Sequence, residues 1–275
     1  MALDDARQDR NALVDVLTSI DRPVVACSGG VDSLTLASVA HEHAPAATIV
    51  AHAVTPAVPA AATARVLRYA REYGWNLDLV EPGEFADERY LSNPVDRCYF
   101  CKTHLYDEIA GHLARAFDGQ GTILSGANLD DLGEYRPGLK AADEHEVRHP
   151  FVEAGFAKAD IRHLAGELGL DAADLPASPC LASRLYTGTR VDAARLKAVE
   201  LGESMLTELT GIEVVRCRIR EDEVMIEVEE SVRPSVTSDV LEAVGAAMRV
   251  AAPELGDPVL DDRPYRPGRA FLVRS

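Results

Sequence analysis

The chain has 275 residues, 47% of them hydrophobic, enough for one large domain or for a core domain with a smaller one appended. Its formal net charge is −17, and lysines (Lys102, Lys140, Lys158, Lys197) are scarce among its 28 basic residues, which disfavours a partner built of nucleic-acid phosphates. The carboxylates are spread along the chain, a pattern that suits a high-salt cytoplasm, and the polar start without a long apolar run predicts a cytoplasmic protein with no signal peptide or membrane span.

The hydrophobic spacing predicts a helix over 11–20 and then a brief strand, Val24-Val25-Ala26, running into a Gly-Gly turn. A helix over 34–43, a strand over 48–54, an Ala/Pro-rich loop over 55–64 and a helix over 63–73 stopped by Gly74 follow. Next come a strand over 78–80, a helix over 102–117 and a strand over 121–125. Strands alternating with helices predict parallel βαβ units and an α/β class. Beyond Pro179 the alternation weakens to a helix over 192–209, two strands over 214–219 and 224–228 around an acidic turn, and a helix over 238–250. The reading is therefore two domains, 1–183 and a smaller α+β domain over 184–275.

Four groups of residues carry chemistry. Ser28-Gly29-Gly30-Val31-Asp32-Ser33 lies between a strand and a helix. Two glycines let backbone approach a phosphate, and the next helix offers unpaired N–H groups with a favourable dipole. No Gly-Lys-Ser/Thr follows, so this is not the Walker loop. Asp32 repels phosphate unless Mg²⁺ or the backbone mediates. The hexad is the signature of the PP-loop ATP pyrophosphatases, and that resemblance implies cleavage of ATP between its α and β phosphates.

Cys98-Tyr99-Phe100-Cys101 places two thiols at a helix start, suited to metal binding or redox chemistry, and Cys180 in Pro179-Cys180-Leu181-Ala182-Ser183-Arg184 is the natural third. No second Cys-x-x-Cys or His pair completes a structural zinc site. Three cysteines can anchor an iron–sulfur cluster and leave one iron open. Five cysteines, an odd count without a secretion signal, argue against a disulfide framework. The turn Ser125-Gly126-Ala127-Asn128-Leu129-Asp130-Asp131, followed by Tyr135-Arg136-Pro137-Gly138, suits a nucleotide base or Mg²⁺. Arg216 and Arg218 share one face of a strand and read as a phosphate or carboxylate clamp, with Glu227 on the next strand near a metal or cation and Cys217 turned to the core.

Together these motifs resemble the LarE family of ATP-dependent sulfur transferases, through the hexad, Asp96 to Lys102, Gly126 to Gly138, Pro150-Phe151 with Lys158-x-x-Ile161-Arg162, Gly169-Leu170, Pro179 to Arg184 and Arg216-x-Arg218. The resemblance implies a PP-loop parallel sheet with helices on both faces. It implies adenylylation of a carboxylate of pyridinium-3,5-biscarboxylic acid mononucleotide, then displacement of AMP by a sulfur nucleophile, in nickel-pincer nucleotide biosynthesis. Family members with only the cysteine matching Cys180 surrender its sulfur, whereas members with all three hold a [4Fe-4S] cluster, the kind this chain resembles. By the same resemblance Ser28, Gly29, Gly30, Val31, Asp32, Ser33, Gly126, Asn128 and Asp131 would serve ATP and Mg²⁺. Cys180, Asp32 and Arg184 would act in catalysis, Cys98, Cys101 and Cys180 in holding the cluster, and Arg216 and Arg218 in binding substrate phosphate. Ser183 and Glu203 are further pocket residues, sulfide or another donor is the implied co-substrate, and a homo-oligomer is the implied assembly. Leu175-Pro176 stands where the family has Lys-Pro, and the C-terminal motif reads Pro264-Tyr265-Arg266-Pro267-Gly268 in place of Gly-Tyr-Arg-x-Gly.

Two rivals share the phosphate loop. An ammonia-using synthetase has no need of three cysteines, and a tRNA thiolase normally needs a basic RNA-facing surface. A non-catalytic nucleotide-binding or metal-sensing module would bind ATP without substrate-dependent pyrophosphate release.

Overall fold

The structure, a computed structural model, describes residues 2–117, 119–133, 136–266 and 269–270. Tyr135, Pro267 and Gly268 of the motifs above lie outside the described residues. The chain divides into two compact units, one made of the residues up to Gly83 together with Cys98–Ala177, the other of Glu84–Arg97 together with those from Ser178 onward.

In the first unit, strands β1 (Pro23–Ala26), β2 (Ile49–Ala53), β3 (Leu77–Val80) and β4 (Thr122–Leu124) form one parallel sheet in the order β3-β2-β1-β4. Short runs of Val, Ile and Ala without polar alternation form such strands because both faces are covered. Pairing of Val24 with Ile49 and of Val25 with Val50 fixes which side chains go to which face. Val24, Ile49, Ala51, Val80 and Ile123 pack on one side against Tyr106, Ile109 and Leu113 of α5 (Arg97–Phe117) and Ala141 and Ala142 of α6 (Pro137–Glu144). Val25, Val50 and Leu124 pack on the other against α1 (Ala2–Thr18), α2 (Val31–His43), α3 (Ala60–Tyr73) and α8 (Lys158–Glu167), through Leu13, Leu34, Val66 and Ile161. Helices therefore cover both faces, and each fully buried aliphatic side chain contributes ~1.5–3 kcal/mol relative to exposure. Two further short helices are α4 (Glu88–Leu91), which belongs to the second unit, and α7 (Pro150–Glu153).

Four helices start earlier than the spacing predicts, α2 at Val31 and α5 at Arg97 among them. α1 begins at Ala2, because the amphipathic stretch propagates back through good helix formers. α3 begins at Ala60, inside the stretch expected as a loop, where Pro59 at φ −57° precedes three alanines. The strand order places β2 and β4 on opposite sides of β1, so the loops after β1 and β4 leave the same end of the sheet where the winding reverses.

In the second unit, β5 (Val215–Arg220) and β6 (Glu223–Val228) pair antiparallel around Glu221 and Asp222, with Glu221 at φ 55°, and β7 (Val259–Leu260) runs parallel to β6. α9 (Ala193–Thr210) is capped by Asp192, whose carboxylate accepts from the Arg195 N–H, and ends at Gly211 in the left-handed region. α10 (Ser238–Arg249) packs closely on α9, where a Cβ on Gly202 would lie 2.7 Å from Met248. Among the described residues no helix is long and apolar enough to cross a membrane.

Candidate active site

The phosphate loop leaves β1 and turns into α2. Gly29 sits at φ 79°, and a Cβ there would lie 2.8 Å from the Ala62 carbonyl oxygen, so both the turn and the close approach require glycine. Arg65 donates to the Gly29 carbonyl at 2.6 Å and holds the turn against α3. Gly30 occupies the N-cap position of α2 without a side-chain cap, which leaves the first N–H groups of the helix to a ligand. The Ser33 hydroxyl, buried, accepts from the Ser28 N–H at 3.1 Å, lies 3.2 Å from the Ser28 hydroxyl and donates to the Gly30 carbonyl. Gly126, after β4, backs this turn: a Cβ on it would meet Ser33 N at 3.0 Å and Asp32 at 3.1 Å. The structure thus brings Gly126 against the hexad.

Lys158, at the start of α8, reaches both carboxylate oxygens of Asp32, at 2.6 and 2.5 Å. Burial pushes the Asp32 carboxyl above the usual aspartate range, Lys158 opposes that, and the charge of Asp131 adds to it. The Asn128 turn is closed by its own groups: Asp131 accepts from the Asn128 N–H at 3.1 Å, and Asn128 accepts from the Asp130 N–H at 3.0 Å. Asp130 in turn accepts from the Lys158 N–H at 2.9 Å, and Arg136 pairs with Asp131 at 2.8 Å. Asp32, Asp130, Asp131 and Lys158 form one charged cluster beside the loop. Sequence reasoning missed Lys158 as a site residue, because its partner is 126 positions away and no motif spacing links them.

Cys98 and Cys101 lie on the first turn of α5, three residues apart and so on one helix face, both half-buried. Cys180, also half-buried, precedes a single 3₁₀ turn, Leu181–Arg184, in the second unit. None of the five cysteines is in a disulfide. Cys27 and Cys217 are buried and their thiols are pushed up by burial, as befits core residues. Three thiols are the right donor chemistry for iron–sulfur ligation. Among the described residues, no three His, Cys, Asp or Glu side chains are gathered as a metal-ligand group.

In the second unit Arg216 and Glu227 are cross-strand partners on β5 and β6, and Arg216 and Arg218 share a face as their alternation demands. Both arginines are buried rather than exposed strand charges. Arg218 Nε donates to Glu227 Oε2 at 3.0 Å and Arg269 donates to Glu227 Oε1 at 3.1 Å, so both oxygens of Glu227 are engaged by guanidiniums. The Arg216 guanidinium lies 5.1 Å from the Tyr265 ring centre, and burial, with Arg184 close by, lowers its affinity for its proton. Arg184 meets Glu203 fork to fork, Nε and Nη2 each donating at 2.9 Å.

No family model matches the chain. It is 36% identical over 208 residues to an uncharacterized protein of Synechocystis sp., covering 76% of each chain. It is 30% identical over 226 residues to the pyridinium-3,5-bisthiocarboxylic acid mononucleotide synthase of Lactiplantibacillus plantarum, covering 80% of this chain and 79% of that one. To an uncharacterized protein of Methanocaldococcus jannaschii it is 27% identical over 208 residues, covering 75% of this chain and 77% of that one.

Proposed function

The chain belongs to the LarE family, and on that premise we propose that it is an ATP-dependent sulfur transferase acting on pyridinium-3,5-biscarboxylic acid mononucleotide. The observation that carries the reading is its likeness to a synthase whose named product bears thiocarboxylates, in a chain that also holds a phosphate loop and three half-buried thiols.

A substrate carboxylate oxygen attacks the α-phosphorus of ATP, the α–β bridge bond breaks, and pyrophosphate leaves with the electron pair. The α2 N–H groups, Ser28 and Ser33 bind the departing phosphates, and Lys158 supplies the cation that offsets their charge. Asp32 and Asp131 would hold Mg²⁺, which screens phosphate charge when bound. A sulfur nucleophile then attacks the acyl carbon, the acyl–oxygen bond to AMP breaks, and a thiocarboxylate remains. Cys98, Cys101 and Cys180 would hold a [4Fe-4S] cluster, whose chemistry is to carry a transferable sulfide at an iron without a protein ligand. Sulfide would be the co-substrate, the cytoplasm the setting and a homo-oligomer the assembly.

The test is iron and acid-labile sulfide per chain on protein prepared without oxygen, alongside pyrophosphate release. About four of each, lost in Cys98→Ala, with pyrophosphate released only when the pyridinium nucleotide is added, is the expected result. No iron would return the sulfur to Cys180 itself, one turnover per chain. Pyrophosphate release driven by tRNA or ammonia instead would sink the substrate assignment.

A further inference from the structure

Four carbonyl oxygens around Cys180, those of Pro179, Cys180, Ala182 and Ser183, accept from buried arginines. Arg184 Nη1 donates to Pro179 O at 2.7 Å and to Cys180 O at 3.3 Å. Arg97 Nη1 donates to Ala182 O at 2.9 Å, and Arg218 Nη1 donates to Ser183 O at 2.9 Å. All three arginines and the whole of this loop belong to the second unit. Each guanidinium is held from another side as well: Arg184 by Glu203, Arg218 by Glu227, and Arg97 by the Asn93 side-chain oxygen at 2.5 Å. Asn93 is itself buried at φ 53° and donates to Tyr186 O and Thr189 O, further along the same loop. Glu203 also accepts from the Cys217 N–H at 3.1 Å, which ties α9 and β5 to the same anchor.

We propose that Arg97, Arg184 and Arg218 form a cradle that fixes the backbone of the Cys180 loop, so that Arg184 and Arg218 are positioning residues and not contacts for the substrate phosphate. This inference rests on the reading that Cys180 takes part in sulfur transfer. The loop's own N–H groups reach only two of these carbonyls, Ser183 N–H that of Cys180 and Leu185 N–H that of Ala182. The arginines therefore supply the partners of Pro179 O and Ser183 O and a second donor to the other two. A planar guanidinium can donate to a carboxylate or amide oxygen from one edge and to a carbonyl from another, which a lysine ammonium cannot match. Burying three guanidiniums beside two carboxylates is an expensive way to gain stability, since apolar packing would serve better. What the arrangement gives is a single geometry for the sulfur-bearing residue, fixed to α9, β5, β6 and the Asn93 turn. Displacement of a reacting group by ~1 Å is enough to lower a rate about 100-fold.

Two variants test this, Arg218→Lys and Asn93→Ala; the second removes, without a change of charge, the anchor of Arg97 together with the Asn93 bonds to Tyr186 O and Thr189 O. Hydrogen exchange of amides 180–186 is followed in the ligand-free protein, and KM and single-turnover sulfur transfer are measured with ATP and the pyridinium nucleotide. In both variants the cradle predicts exchange about tenfold faster. It also predicts sulfur transfer slowed by up to about 100-fold with KM for the nucleotide held within about twofold. A raised KM with unchanged exchange in Arg218→Lys would make that arginine a substrate contact, and unchanged exchange in both variants overturns the proposal whatever the kinetics. The exchange measurement needs no substrate. Faster exchange in variants of a protein that never turns over the pyridinium nucleotide would uphold the cradle and sink the substrate assignment.

Discussion

Replacing Gly29 by alanine tests whether the phosphate loop is built as described, and its neighbour Gly30 supplies the control. At φ 79° an L-residue is strained, at ~1–2 kcal/mol. The new methyl would also lie 2.8 Å from Ala62 O and 3.2 Å from Ala62 C and Cβ, in the first turn of α3, where little can yield. Overpacking of that kind costs ~1–3 kcal/mol. The two effects share one relaxation of the loop, so the expected loss is ~2–4 kcal/mol, a large part of an ordinary stability of ~5–15 kcal/mol. For a chain of this size that lowers Tm by ~5–15 °C. Gly30 has φ −86° and its nearest neighbour for a Cβ is Ser28 Oγ at 3.7 Å, an ordinary contact. Gly30→Ala is therefore expected to stay within ~1 kcal/mol of the parent. Urea and thermal unfolding of the two variants side by side decide the matter. Equal losses, or a larger loss in Gly30→Ala, would refute the argument from φ and close approach.

Three further outcomes are expected. Lys158→Met strips the Asp32 carboxylate of its partner and the leaving phosphates of a cation, and should slow ATP–pyrophosphate exchange about 10–100-fold while the secondary structure is kept. Glu203→Leu leaves Arg184 buried without its carboxylate and should cost ~3–5 kcal/mol in urea unfolding; adding Arg184→Met should recover part of it, a coupling that a double-mutant cycle reads directly. Asp171 is held below the usual aspartate range, first by the Tyr69 hydroxyl and then by Arg68. Its contribution to stability is complete above the unfolded aspartate value of 3.8 and is lost as pH falls through the depressed folded value, so wild type and Asp171→Asn should differ in Tm at neutral pH and converge in acid.

The α/β class was legible because the strands of the first unit are short apolar runs bounded by turns, and the helices between them carry ordinary periodicity. The hairpin of β5 and β6 was legible for a similar reason: two alternating runs flank Glu221 and Asp222. Composition misled at α3, where proline and alanine together suggested a loop although proline starts helices and alanine continues them. The association of 84–97 with the residues beyond Ser178 left no trace in periodicity, since it rests on Asn93, Arg97 and backbone carbonyls near 182–189. Local pattern reports which face of an element is apolar. It carries no information about which distant carbonyl a side chain will find.

The same limit explains why charge was a poor guide to the site. A net charge of −17 describes a surface and disfavours a polyanionic partner, but the arginines of the second unit are interior. Arg97, Arg184, Arg216 and Arg218 are each buried, and at least three of them are anchored by a specific side-chain oxygen. Alternation on β5 correctly put Arg216 and Arg218 on one face, yet it could not separate an arginine that meets a ligand from one that holds a loop. That distinction depends on what lies across from each guanidinium: Glu227 and Ser183 O for Arg218, the Tyr265 ring for Arg216. Neighbours in sequence and on one strand face, the two are given different surroundings by the fold, and different variants should therefore fail in different ways.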